Sequence, residues 1–277
     1  MKIAIINDVH IGKPLMHGNT VRASSDGVIS KFESFLSNIV RQHQPDLLIN
    51  LGDLIRSESA DLDSARYCHL MNCYKSVEVP VVHLIGNHEI KRLQCNEIET
   101  VWNTYGFNQH SYGHRSLNGV DIIWLAIEEE KESKTFYLPI NQLHWLEESL
   151  QKSVQPILIF IHCPLDDHDV SGNFFYEALD DRKKDALFLK NQNEVRKIIQ
   201  SRKNVVAVFQ AHLHYFYTRL MDGIAYITCP AMNDNICGPD ITNNNPEIYT
   251  IATLLHHKVM IKAYSREYSF TGFEMSI

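Results

Sequence analysis

Apolar runs along the chain end repeatedly at polar side chains. Five such runs stand out: residues 2–6 before Asp8, 47–51 before Asp53, 79–85 before Asn87, 157–161 before His162, and 205–209 before His212. Short apolar runs of this length are typical of buried strands. Strands that present polar groups at their carboxyl ends are typical of an α/β protein whose functional site lies along one rim of its sheet.

Helical periodicity occupies the intervals between these runs. In residues 28–43 the apolar positions Val28, Phe32, Phe35, Leu36 and Ile39 share one face, and Pro45 follows the end of the pattern. Residues 59–75, 141–152 and 193–202 are predicted to be helices as well. Residues 224–228, 249–255 and 258–264 are predicted strands, the last two joined by a turn at residues 256–257. This order predicts two packed sheets, and the lack of a linker or repeat predicts one domain over residues 1–277.

Composition narrows the possible partners. The net charge of −7 and the isoelectric point near 6.1 argue against a broad basic surface for nucleic acid. The longest apolar runs are strand-sized, so no membrane segment is expected. The first strand leaves no room for a secretion signal, so a cytoplasmic protein is expected. None of the 6 cysteines forms a Cys-x-x-Cys pair, which predicts reduced thiols.

Five short blocks of chemically active residues follow the predicted strands in order. They are Asp8-Val9-His10, Gly52-Asp53, Gly86-Asn87-His88-Glu89, His162-Cys163-Pro164 and His212-Leu213-His214. Side chains at positions i and i+2 of an extended segment point the same way, so the first and last blocks can each direct two ligands at one ion cluster. Together the blocks offer enough ligands for two metals, with Asp53 as a natural shared carboxylate. Mixed imidazole and carboxylate ligands suit manganese, iron or zinc.

Each block alone also has an ordinary structural explanation. Asp8 and His10 can form a strand-end turn, Gly52-Asp53 is common turn chemistry, and Asn87 can cap a helix. Single histidines such as His162 are often buried core residues. The order of all five blocks at strand ends favours the metal site.

The order D-x-H, G-D, G-N-H-[D/E], H and then an H-x-H pair resembles that of the calcineurin-like metallophosphoesterases, most closely their class III cyclic nucleotide phosphodiesterases. The resemblance extends from Lys2 to about Thr228. It implies a four-layer αββα sandwich of two mixed β-sheets flanked by helices, and a phosphohydrolase that uses two metal ions.

The resemblance also implies a role for each matching residue. Asp8, His10 and His214 would hold the first metal, Asn87, His162 and His212 the second, and Asp53 would bridge both. Hydroxide between the metals would attack phosphorus. Asn87 and His88 would contact the substrate, and His88 would be the catalytic residue that steadies the phosphoryl group or protonates the leaving oxygen.

Three departures from the family pattern accompany the match. Ala211 replaces the glycine that precedes His212 in the family pattern. Cys163 replaces a second histidine, and Cys163 is either a spacer or a soft neighbour of the second metal. The segment after Asp53, residues 54–57, lacks the acidic residue often found there, which leaves the support of the site undefined.

The long stretch between His162 and His212 can build a substrate cap at about residues 164–190. Residues 174–176 in this stretch are either core or a stacking surface for a base, and His17, in the predicted loop 13–27, is a further candidate substrate contact.

A small phosphorylated substrate, nucleotide-derived, is the expected partner: a cyclic nucleotide or a nucleotide pyrophosphate. A phosphomonoesterase or protein phosphatase is the alternative enzyme, and a nuclease is disfavoured by the acidic composition. A metal-binding scaffold without turnover is the non-enzymatic alternative. Retention of every expected ligand argues against it.

Overall fold

The computed structural model describes residues 1–17, 20–23, 25, 27–177, 179–234, 247–255, 258–265 and 269–276. Its strands in chain order are β1 Lys2–Ile6, β2 Leu15–His17, β3 Thr20–Ala23, β4 Leu47–Asn50, β5 Val81–His83, β6 Gly113–Leu117, β7 Val120–Trp124, β8 Glu128–Glu129, β9 Phe136–Tyr137, β10 Ile157–Phe160, β11 Val205–Gln210, β12 Tyr217–Met221, β13 Ile224–Thr228, β14 Tyr249–Leu255, β15 Lys258–Tyr264 and β16 Ser269–Ser276. Its helices are α1 Val28–His43, α2 Ala60–Lys75, α3 Asn87–Ile90, α4 Cys95–Thr104, α5 Ile140–Lys152, α6 Phe174–Glu177, α7 Asp181–Asp185 and α8 Gln192–Gln200.

Two mixed sheets of six strands each form the centre of the molecule. The first has the order β16-β15-β14-β1-β4-β5 and the second the order β12-β13-β11-β10-β7-β6. Strands β1, β4 and β5 run parallel, as do β7, β10, β11 and β13. The carboxyl ends of the parallel strands in each sheet therefore lie along one edge, which is where the five sequence blocks begin.

Buried clusters show how the layers are arranged. Side chains from both sheets, among them Ile3, Ile49 and Phe160, share one apolar cluster between the sheets. Helices α1 and α2 cover the outer face of the first sheet, while α5 and α8 cover the outer face of the second. The predicted four-layer αββα sandwich is confirmed.

Helix α1 shows how sequence pattern becomes packing. Its apolar stripe, which includes Phe32, Leu36 and Ile39, is buried against the first sheet. The helix ends where Gln44 adopts a left-handed backbone with φ 48° and donates its N–H to Val40 O, and Pro45 follows. A residue before proline avoids the helical region, so the helix cannot continue.

Most predicted elements are confirmed within a few residues, and the structure adds elements that were not predicted. The predicted loop 13–27 contains the β2–β3 hairpin. Strands β6, β7, β12 and β16 and helix α4 were not predicted, nor were the short elements β8, β9, α3, α6 and α7. The predicted turn at residues 256–257 lies outside the described residues, as does Cys237; the other five cysteines are free thiols. None of the helices in the described part of the chain combines the length and apolar character that a membrane-spanning helix needs.

Candidate metal centre

Backbone turns bring the predicted ligands together at the shared edge. Five of these residues adopt left-handed backbone conformations: Asp8 (φ 50°), His10 (φ 50°), Asp53 (φ 55°), His212 (φ 68°) and His214 (φ 60°). Such conformations cost a non-glycine residue about 1–3 kcal/mol and persist only where the surroundings impose them. Here the N–H of Asp8 donates to Gly52 O and that of His10 donates to Asp53 O, both at 3.0 Å.

Two glycines allow the loops after β4 and β5 to touch. Gly52 has φ 98°, and a Cβ there would collide with the backbone nitrogen of Gly86. A Cβ on Gly86 would collide with the carboxylate of Asp53. Only glycine fits at both positions, which is the physical reason for the Gly-Asp and Gly-Asn sequences.

The first group of ligand atoms belongs to Asp8, His10, Asp53 and His214, which all lie within 4.8 Å of one another. Asp8 Oδ1 is 3.2 Å from His214 Nε2 and 3.6 Å from His10 Nε2. His10 Nε2 is also 3.7 Å from Asp53 Oδ2 and 3.1 Å from His214 Nε2. These four buried or half-buried side chains form one compact ligand set.

The second group contains Asp53, His162 and His212, with the Asn87 amide among them. His162 Nε2 lies 3.4 Å from Asp53 Oδ2 and 3.0 Å from Asn87 Oδ1. The same end of the Asn87 amide is 2.7 Å from His212 Nδ1 and 3.1 Å from Asp53 Oδ2. Asp53 is the residue that belongs to both groups.

Hydrogen bonds behind the site turn each of three imidazoles toward it. Each ring uses one nitrogen for a fixed partner and directs the other at the cluster: His162 Nδ1 contacts Leu51 O at 2.8 Å, His212 Nε2 contacts Ala186 O at 3.1 Å, and His214 Nδ1 contacts Asp234 Oδ2 at 2.7 Å. Metal-binding histidines are held in this way, because the second hydrogen bond fixes the tautomer and the ring orientation.

The residues present fit metal ions. Atoms bound about 2.0–2.2 Å from one transition metal lie roughly 3.0–3.5 Å apart, close to the separations seen here. Asp8 Oδ1 is buried without a hydrogen bond among the described residues. Asn87 Oδ1 faces only acceptor atoms, which a cation among them would satisfy. Imidazole, carboxylate and amide ligands together suit manganese, iron or zinc.

Charge is concentrated in the buried cluster. Burial opposes ionisation of Asp8 and Asp53, but the neighbouring histidines outweigh it, and the pKa of each carboxyl lies well below its usual range. Burial likewise opposes protonation of His162 and His214, but nearby carboxylates outweigh it. Asp53 and Asp8 raise the pKa of His162 to about 9. Asp8 and Asp234 raise the pKa of His214 to about 9. The site therefore holds anionic carboxylates that attract cations.

His88 lies beside the first ligand group, half-buried. Its ring meets that of His10 edge-on at a centroid distance of 4.7 Å, and its backbone N–H donates to Asp53 Oδ1 at 2.7 Å. Burial lowers the pKa of His88 to about 3, with the Asp53 charge opposing the shift. At neutral pH the ring is uncharged unless an anion enters the site.

Sequence reasoning assigned no role to Glu89 or Asp234. The fully buried Glu89 carboxylate accepts backbone N–H groups from Gly86 (2.8 Å), Asp53 (2.9 Å), Leu54 (2.7 Å) and Ile55 (3.4 Å). Burial and the Asp53 charge raise its pKa to about 7. The position of Glu89 in the Gly-Asn-His-Glu block was a sequence signal that it belongs to the site. Asp234 lies in a segment with loop-like composition, and no sequence signal pointed to it.

The 164–190 segment packs against the loop that carries His212 and His214. Tyr176 is 3% exposed, clusters with Leu187 and Leu213, and donates its hydroxyl to Leu213 O at 2.9 Å. Tyr176 is therefore core and not a stacking surface. Phe175 is half-buried against it. The side chains of Phe174 and His17 lie outside the described residues.

Ala211 and Cys163, which differ from the family pattern, are both buried in the core. Ala211 is fully buried between the sheets, and its N–H donates to His162 O at 2.9 Å, so the extra methyl group packs without displacing the ligands. Cys163 is buried in the cluster under α5 and α8, and burial raises the pKa of its thiol well above the usual value. Within the described residues neither ligand group includes Cys163.

Comparison with known proteins agrees with this site. Residues 1–216 match the family model described as calcineurin-like phosphoesterase, and the chain belongs to that family. It is a metallophosphoesterase, as its sequence predicted.

Two similar proteins have names that state a narrower activity than the family description does. A probable cyclic nucleotide phosphodiesterase of Fibrobacter succinogenes is 28% identical over 229 residues, which cover 82% of this chain and 78% of that protein. A second, from a Synechococcus species, is 26% identical over 193 residues, covering 69% and 67% of the two chains. The crystal structure of a dimetal phosphatase from Danio rerio shares the fold, with a TM-score of 0.74 at 16% identity over 98% of both chains.

Proposed function

We propose that the protein is a dinuclear metal-dependent phosphodiesterase that hydrolyses a cyclic nucleotide or a nucleotide-derived pyrophosphate. In this proposal Asp8, His10 and His214 would hold one metal, Asn87, His162 and His212 would hold the other, and Asp53 would be a ligand shared by both. The observation that carries it is the pair of ligand groups that share Asp53. Asp53 Oδ2 faces both groups, 3.7 Å from His10 Nε2 and 3.4 Å from His162 Nε2, and one carboxylate oxygen can be shared by two cations.

Two transition-metal cations in this site would supply Lewis-acid activation of water and neutralise charge on the phosphate. The chain's own groups do the rest. Glu89 fixes the loop that presents Asp53, and His162 and His214 are held by Leu51 O and Asp234. His88, beside His10, is placed to exchange a proton with the leaving oxygen or to contact the phosphoryl group.

The substrate class is supported by the relatives, both named as probable cyclic nucleotide phosphodiesterases. The acidic composition disfavours nucleic acid, since a net charge of −7 repels a polyanion. We propose that residues 1–277 act as one domain and that the 164–190 segment borders the substrate on the His212 side, with the half-buried Phe175, which packs on Tyr176, near a second substituent on phosphorus.

A substrate panel tests the proposal. Metal-stripped protein is reloaded with manganese, iron or zinc and assayed with cyclic nucleotides, dinucleoside pyrophosphates and phosphomonoesters. We expect a higher kcat/KM for the diester or pyrophosphate class, and Phe175→Ala should reduce that preference while metal content stays constant. A preference of more than about tenfold for monoesters, roughly 1.4 kcal/mol of transition-state binding, would make the protein a phosphatase instead.

A further inference from the structure

The side-chain amide of Asn87 presents two chemically different ends to its surroundings. Oδ1 lies among the second ligand group, 3.0 Å from His162 Nε2 and 2.7 Å from His212 Nδ1. Nδ2, at the other end, lies 3.3 Å from the ammonium nitrogen Nζ of Lys91. An amide nitrogen and an ammonium nitrogen both donate hydrogen bonds and accept none. Two donors therefore face each other at hydrogen-bond distance with no hydrogen bond between them.

The chemistry of the second ligand group fixes which end of the amide faces inward. Turning the amide over would let its oxygen accept a hydrogen bond from Lys91, and it would place Nδ2 against His162 Nε2 and His212 Nδ1. Each of these ring nitrogens would then use its lone pair to accept an amide N–H and would have none left for a cation. A cation in this group requires Oδ1 to face inward. A metal-loaded site therefore keeps Nδ2 and the Lys91 ammonium facing each other.

Within the described residues the Lys91 ammonium has no ion pair and no hydrogen-bond acceptor. Lys91 is exposed and directly follows α3, so its side chain borders solvent at the edge of the site. Strand β8, which lies beside α3, carries two carboxylates, but both have other partners. Glu128 accepts a hydrogen bond from the Tyr137 hydroxyl at 3.1 Å, and Glu129 pairs with Lys134 at 3.5 Å. The charge of Lys91 is thus left for a group that enters from outside.

A group that binds between these two donors must accept hydrogen bonds from both. The positive charge of Lys91 favours an anion over a neutral acceptor, because hydrogen bonds between charged groups are roughly twice as strong as those between neutral groups. A phosphate oxygen has the negative charge and the several lone pairs that such a position requires, and lysine commonly binds phosphate as a point charge. The donor pair lies beside the second ligand group, where the proposed reaction takes place.

We propose that Lys91 is a substrate-binding residue, which together with Asn87 Nδ2 forms a subsite for a phosphate oxygen at the edge of the second ligand group. The inference rests on the proposed function, because the phosphate belongs to the phosphoester that is hydrolysed. Lys91 supplies a positive charge that comes from the protein and not from a metal. Asn87 then has two roles, since Oδ1 faces a cation and Nδ2 faces the anion.

Three substitutions separate the charge of Lys91 from the net charge of the protein. Lys91→Gln removes the charge, and Lys91→Arg keeps it. Lys152→Gln is the matched control, because Lys152 is also exposed and pairs only with Glu148, at 3.4 Å, on the surface of α5. Elemental analysis should give the same metal content for all three variants and the wild type, because neither lysine is a proposed metal ligand.

Calorimetric titration of the zinc-loaded proteins with inorganic phosphate measures the subsite without turnover. We expect Lys91→Gln to weaken phosphate binding about tenfold, which is the lower end for a hydrogen bond to a charged group because solvent screens the exposed ammonium. Lys91→Arg should keep most of the affinity, and Lys152→Gln should bind phosphate as the wild type does. Added salt should weaken phosphate binding more in the wild type than in Lys91→Gln.

Phosphate binding and ester hydrolysis are separate results. If no phosphoester is hydrolysed but the phosphate affinity still depends on Lys91, the proposed function fails and the subsite stands. If esters are hydrolysed but wild type and Lys91→Gln bind phosphate equally, the subsite is wrong and the proposed function stands. An equal loss of phosphate affinity in Lys152→Gln would also overturn the inference, because the effect would then come from net charge alone.

Discussion

Removing the hydroxyl of Tyr176 tests how the 164–190 segment supports the metal-site loop. Tyr176→Phe keeps the ring in its buried cluster and deletes only the donor to Leu213 O, which lies between His212 and His214. A lost hydrogen bond costs about 1 kcal/mol, and a carbonyl left buried without a partner costs about 1–3 kcal/mol. We therefore expect the free energy of unfolding to fall by about 1–3 kcal/mol.

Tyr226→Phe is the matched control. Tyr226 is fully buried, and its hydroxyl makes no hydrogen bond within the described residues. Its removal should change stability by less than about 0.5 kcal/mol or increase it, because no hydrogen bond is lost. Urea unfolding of metal-stripped wild type and both variants measures the difference. Metal titration should also show weaker binding for Tyr176→Phe, by about tenfold. Equal stability changes in the two variants would refute the supporting role of this contact.

Three further predictions concern the site itself. Glu89→Gln should lower metal affinity about 10- to 100-fold, because the amide nitrogen of glutamine cannot accept the loop N–H groups. Glu97→Gln alters an exposed capping contact to Gln94 N and should leave the affinity unchanged. Equal metal affinities of the two variants would remove the role given to Glu89. His88→Ala should reduce kcat about 10²- to 10⁴-fold with metal content unchanged, and full activity on a poor leaving group would exclude proton transfer. His162 and His214, with pKa values raised to about 9, stabilise the metal-stripped fold below pH 6.5 and lose this contribution as pH rises through 9. Metal binding must displace the protons of these two histidines, so the metal affinity should rise between pH 7 and 9. Calorimetry in buffers of different ionisation enthalpy should detect the proton release. A metal affinity that does not change with pH would contradict this.

The sequence predicts the ligand-bearing strands well because they carry a redundant signal. Strands such as β10 and β11 are buried on both faces, so their apolar runs are continuous, and each ends just before a candidate ligand. Strand β7 is equally buried but contains Asp121, whose carboxylate is satisfied by Ser116 and Ser153 from other segments. Because Asp121 interrupts the apolar run, the sequence pattern alone does not indicate a strand until Ser116 and Ser153 are known to bond its carboxylate.

Helix α4 was missed for a related reason. Only Ile98 and Trp102 are buried along it, which is too sparse a pattern to define an amphipathic face. The supporting residue Asp234 behaves similarly, because it becomes meaningful only once folding places it against His214. Spacing identifies candidate ligands, whereas the hydrogen bonds that orient them depend on contacts across the two sheets.

Metal stoichiometry tests the central claim most directly. Purified protein reloaded with manganese or zinc should contain two ions per chain by elemental analysis, one for each of the two ligand groups. Asp53→Asn should weaken binding of both ions, because the amide lacks the charge needed to bridge them, while His162→Ala should weaken the second alone. A single tightly bound ion that Asp53→Asn leaves unaffected would contradict the dinuclear site.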